Sequence, residues 1–362
     1  MIYRVWAGIL LIVLVVASVL TCVSCEKQEQ SVKESLFTEV KNNSIENDPE
    51  AQKNYNYGKT FVGGTGFVKT ENEAPFFNYS GGSMTIEYVI NNGGDGFECG
   101  ITLFLDGVNQ VFSLIDKDGK RMDNNVMHII HLNEKENYPL SLEFTPNIGE
   151  KGDILCVSVG TMISPSYTAI YSGYGAYGKF NQHAFNAGSD VTVHMLVDAP
   201  KQQNSADLRI SHEPIPNAYK EQFISNDKNY WGTEYRVELY TDKKYAESKE
   251  KPMVIYVPKG EIAELTLDVF GMEADWRACL FLNHELQELS NGNTYVDFST
   301  DLKTITRVQL PVSILGLPKN NNVYIILFQK SIGNPNMTDG TYVFADKVGT
   351  YYFIVNESEK AG

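Results

Sequence analysis

The chain has 362 residues and a formal net charge of −15, with 30 Lys and Arg against 45 Asp and Glu. A surface with this excess of carboxylates repels phosphate backbones, so the composition argues against nucleic acid as a partner. The length is sufficient for two ordinary domains, each with a substantial core.

The N-terminus predicts export. One cation, Arg4, precedes an uncharged apolar run over residues 5–23, and Ser24-Cys25 follows before the charged pair Glu26-Lys27. This order of charge, apolar run and small residue is typical of a secretory signal. Because the cation lies before the apolar run, we expect the rest of the chain on the outer side of the membrane.

The end of this segment predicts a lipid anchor. Val23-Ser24-Cys25 resembles the last positions of the lipobox of bacterial lipoproteins, in which a lipid is attached to the cysteine. We therefore predict lipidation at Cys25, with Cys22 as a poorer alternative. An uncleaved membrane helix also stays open, since a spanning helix needs roughly 20 apolar residues. In every case residues 1–25 are a signal peptide or anchor, and the membrane is a partner.

Residues 26–57 are polar, as in Glu26–Ser31 and Lys41–Ser44. A segment of such low hydrophobicity cannot bury enough apolar surface to form a packed element. We predict that these residues are a spacer between the anchor and the folded part.

Beyond the spacer, the sequence predicts antiparallel strands. Apolar residues alternate with polar ones over residues 84–90, 140–145 and 191–197, and turn pairs such as Asp106-Gly107 and Asp118-Gly119 lie between. Alternation with a period of two marks strands that bury one face. Asp-Gly pairs suit the positive φ angles of tight hairpins. The pattern predicts a β-sandwich over residues 58–220.

The second half repeats this pattern. Strand-like stretches occur at residues 235–240, 265–270, 323–328 and 351–355, and a Pro-rich and Asn-rich stretch over residues 214–232 precedes them. Proline cannot donate to a strand ladder, so this stretch reads as a linker. We predict a second β-sandwich over residues 221–362, with the boundary near residue 220.

A phrase recurs once in each half: Leu103-Phe-Leu-Asp-Gly-Val-Asn-Gln110 and Leu280-Phe-Leu-Asn-His-Glu-Leu-Gln287. The recurrence suggests a duplicated module. The alternative is that unrelated β-sandwiches have similar sequence patterns in their strands and turns. With its anchor, the chain resembles bacterial surface lipoproteins that carry tandem immunoglobulin-like β-sandwich modules. That resemblance implies an all-β fold and extracytoplasmic display, but it carries no functional residue across.

Three cysteines follow the anchor: Cys99, Cys156 and Cys279. Each lies in an apolar, strand-like stretch, so the simplest interpretation is a buried thiol. A disulfide between Cys99 and Cys156 stays open because both lie in the same predicted sandwich.

No stretch carries a convincing catalytic or metal motif. His284-Glu-Leu-Gln-Glu288 has glutamate where a zinc protease motif needs its second histidine, and it lies in a strand and turn context. His128 and His131 point to opposite faces of a strand. Asp116–Asp123 reads as a charged hairpin tip, because Lys120 and Arg121 interrupt any calcium loop. We predict no catalytic residue, no metal and no cofactor.

The segment from Tyr167 to Phe185 is rich in Tyr and Gly, with Tyr167, Tyr171, Tyr174 and Tyr177 between glycines. Glycine disfavours a helix by about 1 kcal/mol per residue, so an aromatic loop is the better interpretation. Tyrosine offers a rigid surface with a hydroxyl handle, which suits a glycan or protein ligand. Packing of this loop over the sandwich core is the alternative.

Two shorter aromatic stretches, Tyr230-Trp231-Gly232 and Asp275-Trp276-Arg277, are secondary candidates for ligand binding.

Three functional classes follow. The first is a non-catalytic extracytoplasmic lipoprotein with a role in surface adhesion, ligand binding or scaffolding. The second is a glycan-capture accessory that uses the loop over residues 167–185. The third is an enzyme whose dispersed carboxylates leave no signature in the sequence. We expect the first.

Overall fold

The computed structural model describes residues 63–68, 76–163, 165, 185–221, 223–225, 228–241, 254–258, 262–318, 320–331 and 340–356. These residues form 23 strands and one short helix, α1 (Asn217–Glu221). This described part contains no helix that is long and apolar enough to span a membrane.

The strands of the first half precede residue 200. They are β1 (Gly63–Phe67), β2 (Phe76–Tyr79), β3 (Met84–Asn92), β4 (Phe97–Leu105), β5 (Val108–Gln110), β6 (Phe112–Ile115), β7 (Arg121–Asn125), β8 (Met127–Leu132), β9 (Glu136–Phe144), β10 (Ile154–Ile163) and β11 (Phe185–Met195).

The strands of the second half follow. They are β12 (Ile210–Pro214), β13 (Ile224–Ser225), β14 (Lys228–Asn229), β15 (Arg236–Tyr240), β16 (Val254–Pro258), β17 (Ile262–Phe270), β18 (Ala274–Leu282), β19 (Glu285–Leu286), β20 (Tyr295–Thr300), β21 (Thr304–Ser313), β22 (Asn320–Lys330) and β23 (Tyr342–Asn356).

The first half is a β-sandwich of two sheets. One has the order β1-β3-β9-β6-β7, and the other has the order β2-β11-β10-β4-β5 with β8 also paired to β4. The alternation in β3 buries Ile86, Tyr88 and Ile90 in a core that also receives Leu103 and Leu105 from β4. Burying one face of each sheet against the other is what the period of two dictates.

The second half is a sandwich of the same kind. Its sheets have the orders β12-β21-β17-β15 and β16-β23-β22-β18-β19, with β20 paired to β18. Trp276 on β18 is fully buried in its core, and its indole N–H donates to Thr300 Oγ1 at 2.8 Å. The predicted all-β fold class, with two β-sandwiches in tandem whose strands are mostly antiparallel, is confirmed.

The two sandwiches repeat one strand order. β3 pairs with β9 as β17 pairs with β21, and β4 pairs with β10 as β18 pairs with β22. Even the parallel contacts recur, because β2 runs parallel to β11 and β16 runs parallel to β23. The repeated sequence phrase therefore corresponds to a repeated topology.

The repeated phrase forms the same hairpin in each sandwich. Leu103 pairs with Gln110 in the first, and Gln287 donates its backbone N–H to the Leu280 carbonyl in the second. The turn residues Asp106-Gly107 have φ angles of 48° and 76°, and Asn283 and His284 have 49° and 68°. Two successive positive φ angles are the mark of a type I′ turn, as the Asp-Gly pair predicts.

One sheet edge differs between the sandwiches. In the first, the hairpin β6–β7 pairs with the outer side of β9, whereas in the second β12 pairs with the corresponding strand β21. The segment that follows the first sandwich thus completes the sheet of the second from residue 210 onward. The domain boundaries at residues 58, 220 and 362 stay a prediction.

The sandwiches pack against each other through a third apolar cluster. It combines outward-facing residues of the β4 and β18 sheets: Phe104, Val108, Met127, Met162, Cys279, Phe281, Tyr295, Tyr324, Ile326, Phe328 and Tyr342. The ring centroids of Phe104 and Phe328 lie 5.0 Å apart, and those of Phe104 and Phe281 lie 6.4 Å apart. We call this region the junction.

Equivalent positions meet at the junction. Phe104 and Phe281 are the same residue of the repeated phrase, and they contact each other edge to face. Each sandwich therefore presents the same sheet to the other, which is the pattern of an isologous interface between two identical subunits.

Candidate functional site

The residues that the sequence favoured for ligand binding and anchoring lie outside the described part of the chain. These are Tyr167, Tyr171, Tyr174 and Tyr177 of the aromatic loop, and the lipidation candidates Cys25 and Cys22. The ligand-binding role of the loop and the lipidation site therefore remain predictions.

The remaining cysteines are buried thiols. Cys99 faces Ile163 in the β4–β10 pair, seven positions along β10 from Cys156. At about 3.3 Å per residue this is far beyond the Cα separation that a disulfide allows. The two thiols are therefore not bonded, and burial raises the pKa of Cys99 and of Cys279 to about 12.

Two of the histidines in these sequence motifs make local contacts. His128 is buried on β8, where its Nε2 lies 2.7 Å from the Phe112 carbonyl oxygen, while His131 is exposed. His284 lies in the β18–β19 turn with Nδ1 3.2 Å from the Tyr324 hydroxyl. Within the described residues, no group of three or more His, Cys, Asp or Glu side chains could hold a metal ion.

The segment Asp116–Asp123 is a charged hairpin tip, as predicted. One carboxylate oxygen of Asp116 accepts the backbone N–H groups of Asp118 and Lys120 at 2.9 and 2.8 Å. The carboxylate therefore closes the β6–β7 turn.

A buried arginine lies at the junction. Arg277, on the apolar strand β18, is only 6% exposed, and its guanidinium donates to both carboxylate oxygens of Asp297 at 2.7 and 2.8 Å. The guanidinium carbon lies 4.3 Å from the ring centroid of Tyr295 and 4.2 Å from that of Tyr342. This planar cation is held between two aromatic rings, an arrangement for which arginine is better suited than lysine.

The first sandwich completes this site. Arg277 Nη1 donates to the Asp106 carbonyl oxygen at 2.7 Å, and the Tyr342 backbone N–H donates to Asp106 Oδ1 at 2.7 Å. The tip of the β4–β5 hairpin thus docks on the second sandwich. Position 107 requires glycine for two reasons. Its φ is positive, and an added Cβ would lie 2.8 Å from the Phe328 ring.

Burial at the junction changes the acidity of Asp106. Desolvation raises the pKa of this carboxyl to about 6, against the opposing effects of the Tyr342 N–H and the Arg277 charge. The folded state therefore binds the proton more tightly than the unfolded state does. The stabilisation from this proton is fully present below about pH 4 and is lost as pH rises through 6.

We expect Asp106→Asn to remove this pH dependence. Urea unfolding of wild type and variant at intervals from pH 4 to pH 7 measures it. The free energy of unfolding of wild type, relative to the variant, should fall over this range by on the order of 1–3 kcal/mol. Arg277, Asp297 and Tyr342 surround the carboxyl and are present in both proteins. A difference that is flat, or that rises with pH, would contradict the assignment.

A second buried arginine lies on the outer face of the β12-β21-β17-β15 sheet. Arg307 donates to both carboxylate oxygens of Asp268 at 2.8 Å and also bonds to Glu213. The Tyr240 hydroxyl donates to Asp268 Oδ2 at 2.8 Å. Hydrogen bonds to Asp268 raise the pKa of Arg307, and burial together with the Asp268 charge raises that of Tyr240.

Both arginine networks are structural. Each guanidinium is bonded in two-point fashion to a carboxylate, and the geometry satisfies the buried charges mutually. The sequence had marked Asp275-Trp-Arg277 only as a secondary ligand-binding candidate. Trp276 is instead core, and Arg277 joins the sandwiches. The available signal was a lone cation within an otherwise apolar strand, which at such a position must find a partner.

The other secondary candidate, Tyr230-Trp231-Gly232, lies beside a small aromatic cluster. Tyr219, Phe223, Phe270 and Ile305 are buried there, and Tyr230 and Trp231 pack against them while remaining partly exposed. The short helix α1 and the hairpin β13–β14 bring these residues to the end of the sheet that carries Phe270.

The comparisons with known proteins give only weak similarities to solved structures. No protein-family model matches the sequence, and no curated protein matches it. Among solved structures, the chain is similar to the fibronectin(III)-like modules of CbhA from Clostridium thermocellum, with 8% identity over 82% of this chain and 97% of that one and a TM-score of 0.19.

Two further similarities are of the same kind. The SafA pilin in complex with the SafB chaperone from Salmonella enterica has 8% identity, coverage of 82% and 98%, and a TM-score of 0.22. The C-terminal domain of the AgI/II polypeptide BspA from Streptococcus agalactiae has 8% identity, coverage of 80% and 100%, and a TM-score of 0.20. At these TM-scores the similarities carry no functional argument.

Proposed function

We propose that this protein is a non-catalytic extracytoplasmic lipoprotein whose paired sandwiches act in surface adhesion, ligand binding or scaffolding. The anchor is proposed at Cys25, with Cys22 as the alternative, and residues 26–57 are proposed as the spacer that holds the sandwiches away from the membrane. A glycan or a protein is the proposed ligand.

The observation that supports this proposal is the junction. The Arg277 guanidinium donates to Asp297 of its own sandwich and to the Asp106 carbonyl oxygen of the other, and Phe104, Phe281 and Phe328 belong to the apolar cluster of the junction. Such a contact fixes the orientation of two modules. A fixed pair suits a protein that presents a surface at a distance from its anchor.

Glycan capture is the second candidate. Its sequence basis is the aromatic loop over residues 167–185, and one structural observation adds to it. Trp231 is a partly exposed aromatic residue with the cation Lys220 over its ring, and a second cation, Arg236, lies over the neighbouring Phe223 ring.

Metabolic labelling with a palmitate analogue tests the anchor. We expect wild type and Cys22→Ala to carry the label in the membrane fraction, and Cys25→Ala to lose it. Proteinase K added to intact cells should degrade the protein in the first two cases if the sandwiches are displayed outward. Label retained in Cys25→Ala would move the anchor to another residue, and unlabelled wild-type protein in the cytosol would refute the proposal.

A further inference from the structure

Trp231 lies on a rigid support. Its backbone N–H donates to Asn229 Oδ1 at 3.0 Å, and the next N–H, of Gly232, donates to the Gly271 carbonyl at 2.7 Å. The indole meets the buried Phe223 ring edge to face at 5.0 Å and 88°. A partly exposed tryptophan held in this way loses little conformational entropy when a ligand binds.

Two cations lie on the same cluster. Lys220 Nζ is 5.6 Å from the Trp231 ring centroid, and the Arg236 guanidinium carbon is 5.0 Å from that of Phe223. Lys220 is exposed and makes no ion pair with the described residues, and Arg236 has a long contact of 3.6 Å with Glu234. Both cations can therefore turn toward an incoming anion at little cost.

We propose that Trp231, Lys220 and Arg236 form a binding site for an acidic carbohydrate, a pyranose ring that bears a carboxylate. The C–H face of the sugar ring would stack on the indole. The sugar carboxylate would form ion pairs with the ammonium of Lys220 and the guanidinium of Arg236. This inference rests on the proposed ligand-binding function and names the ligand class.

Charge complementarity selects this class over two others. The chain carries a net charge of −15, which opposes the approach of an acidic sugar, so binding of such a sugar needs a local pair of cations. A neutral sugar would leave Lys220 and Arg236 unused. A nucleic acid carries a negative phosphate at every nucleotide, and the field of the acidic protein opposes its approach.

Tryptophan fluorescence tests the site in the full-length protein. Trp6 is replaced by Phe, so that the remaining indoles are Trp231 and the fully buried Trp276. The probes are a hexuronic acid oligomer, a sialylated oligosaccharide and the neutral oligosaccharide of matching length. We expect a saturable change in emission with one or both acidic probes, weakened by added salt because the ion pairs are exposed. The two acidic arms distinguish the source of the carboxylate.

Variants then locate the binding by calorimetry. Trp231→Ala should weaken it at least ~10-fold, as removal of an aromatic anchor does. Lys220→Gln, a surface change that preserves folding, should weaken it ~3–10-fold and flatten its salt dependence. Phe76→Ala is the matched control: Phe76 is an aromatic residue, 51% exposed, on the first sandwich, and its removal should leave affinity unchanged.

Three results would overturn the inference: no saturable binding of either acidic probe, equal affinity for the neutral probe with no effect of Lys220→Gln, or binding that survives Trp231→Ala. None of these would refute the proposed function, which fails instead if the labelling experiment finds the protein unanchored in the cytosol.

Discussion

Replacing Arg277 with alanine should lower the free energy of unfolding by about 3–5 kcal/mol. The side chain is 7% exposed, and its loss leaves Asp106 and Asp297 without their cation and opens a gap between Tyr295 and Tyr342. Asp297 is 33% exposed and can regain water, which favours the lower end of this range. Urea unfolding followed by circular dichroism measures the change.

Two companion variants separate the causes of this loss. Arg277→Lys keeps the charge but cannot make the two-point bond or stack between both rings, so it should lie between wild type and alanine. Arg121→Ala is the exposed counterpart, because Arg121 also pairs with a carboxylate, Glu143, but on the solvent face of the first sandwich. Its loss should have a much smaller effect. Equal effects of Arg277→Ala and Arg121→Ala would contradict a stabilising role of the junction.

Replacing Asp268 with alanine should cost a similar amount, about 3–5 kcal/mol. Asp268 is fully buried and receives two bonds from Arg307 and one from Tyr240, so its removal leaves a buried guanidinium with Glu213 as its remaining carboxylate partner. We expect the loss of stability to come from the buried Arg307 charge that has lost Asp268, rather than from the missing side-chain volume. Thermal and urea unfolding of the variant measure it.

A double variant distinguishes stranded charge from cavity formation. Asp268→Leu combined with Arg307→Met replaces the pair by apolar side chains and should recover most of the stability, since such replacements are often neutral. Strong coupling in the resulting double-mutant cycle is expected. If the double variant is as unstable as the two single changes added together, the ion pair is not the cause.

Sequence periodicity was sufficient for the strands and the fold class. Alternation over residues 84–90 sets which residues enter the core, and the Asp106-Gly107 pair sets its turn, because both depend on local geometry. The repeated phrase likewise predicted a duplicated module. Each of these features depends on residues that lie close together in the sequence.

The contact between the sandwiches at the junction could not be predicted from the sequence in the same way. Phe104 and Phe281 look like ordinary strand residues, and nothing local shows that they face another sheet rather than solvent. Arg277 finds its partners 20 residues later at Asp297 and 171 residues earlier at Asp106. Pairings over such separations depend on the tertiary fold, which local patterns do not encode.

Because the junction joins the two sandwiches, we expect them to unfold as one body, and pulsed thiol labelling across a urea titration tests this claim most directly. Cys99 lies in the core of the first sandwich, and Cys279 lies in the junction with its thiol donating to the Gly107 carbonyl at 3.3 Å. Mass spectrometry follows each site separately. We predict that both thiols in wild type become reactive at the same urea concentration, and that Arg277→Ala exposes Cys279 first. Wild-type protein in which Cys279 reacts at a lower urea concentration than Cys99 would contradict the claim.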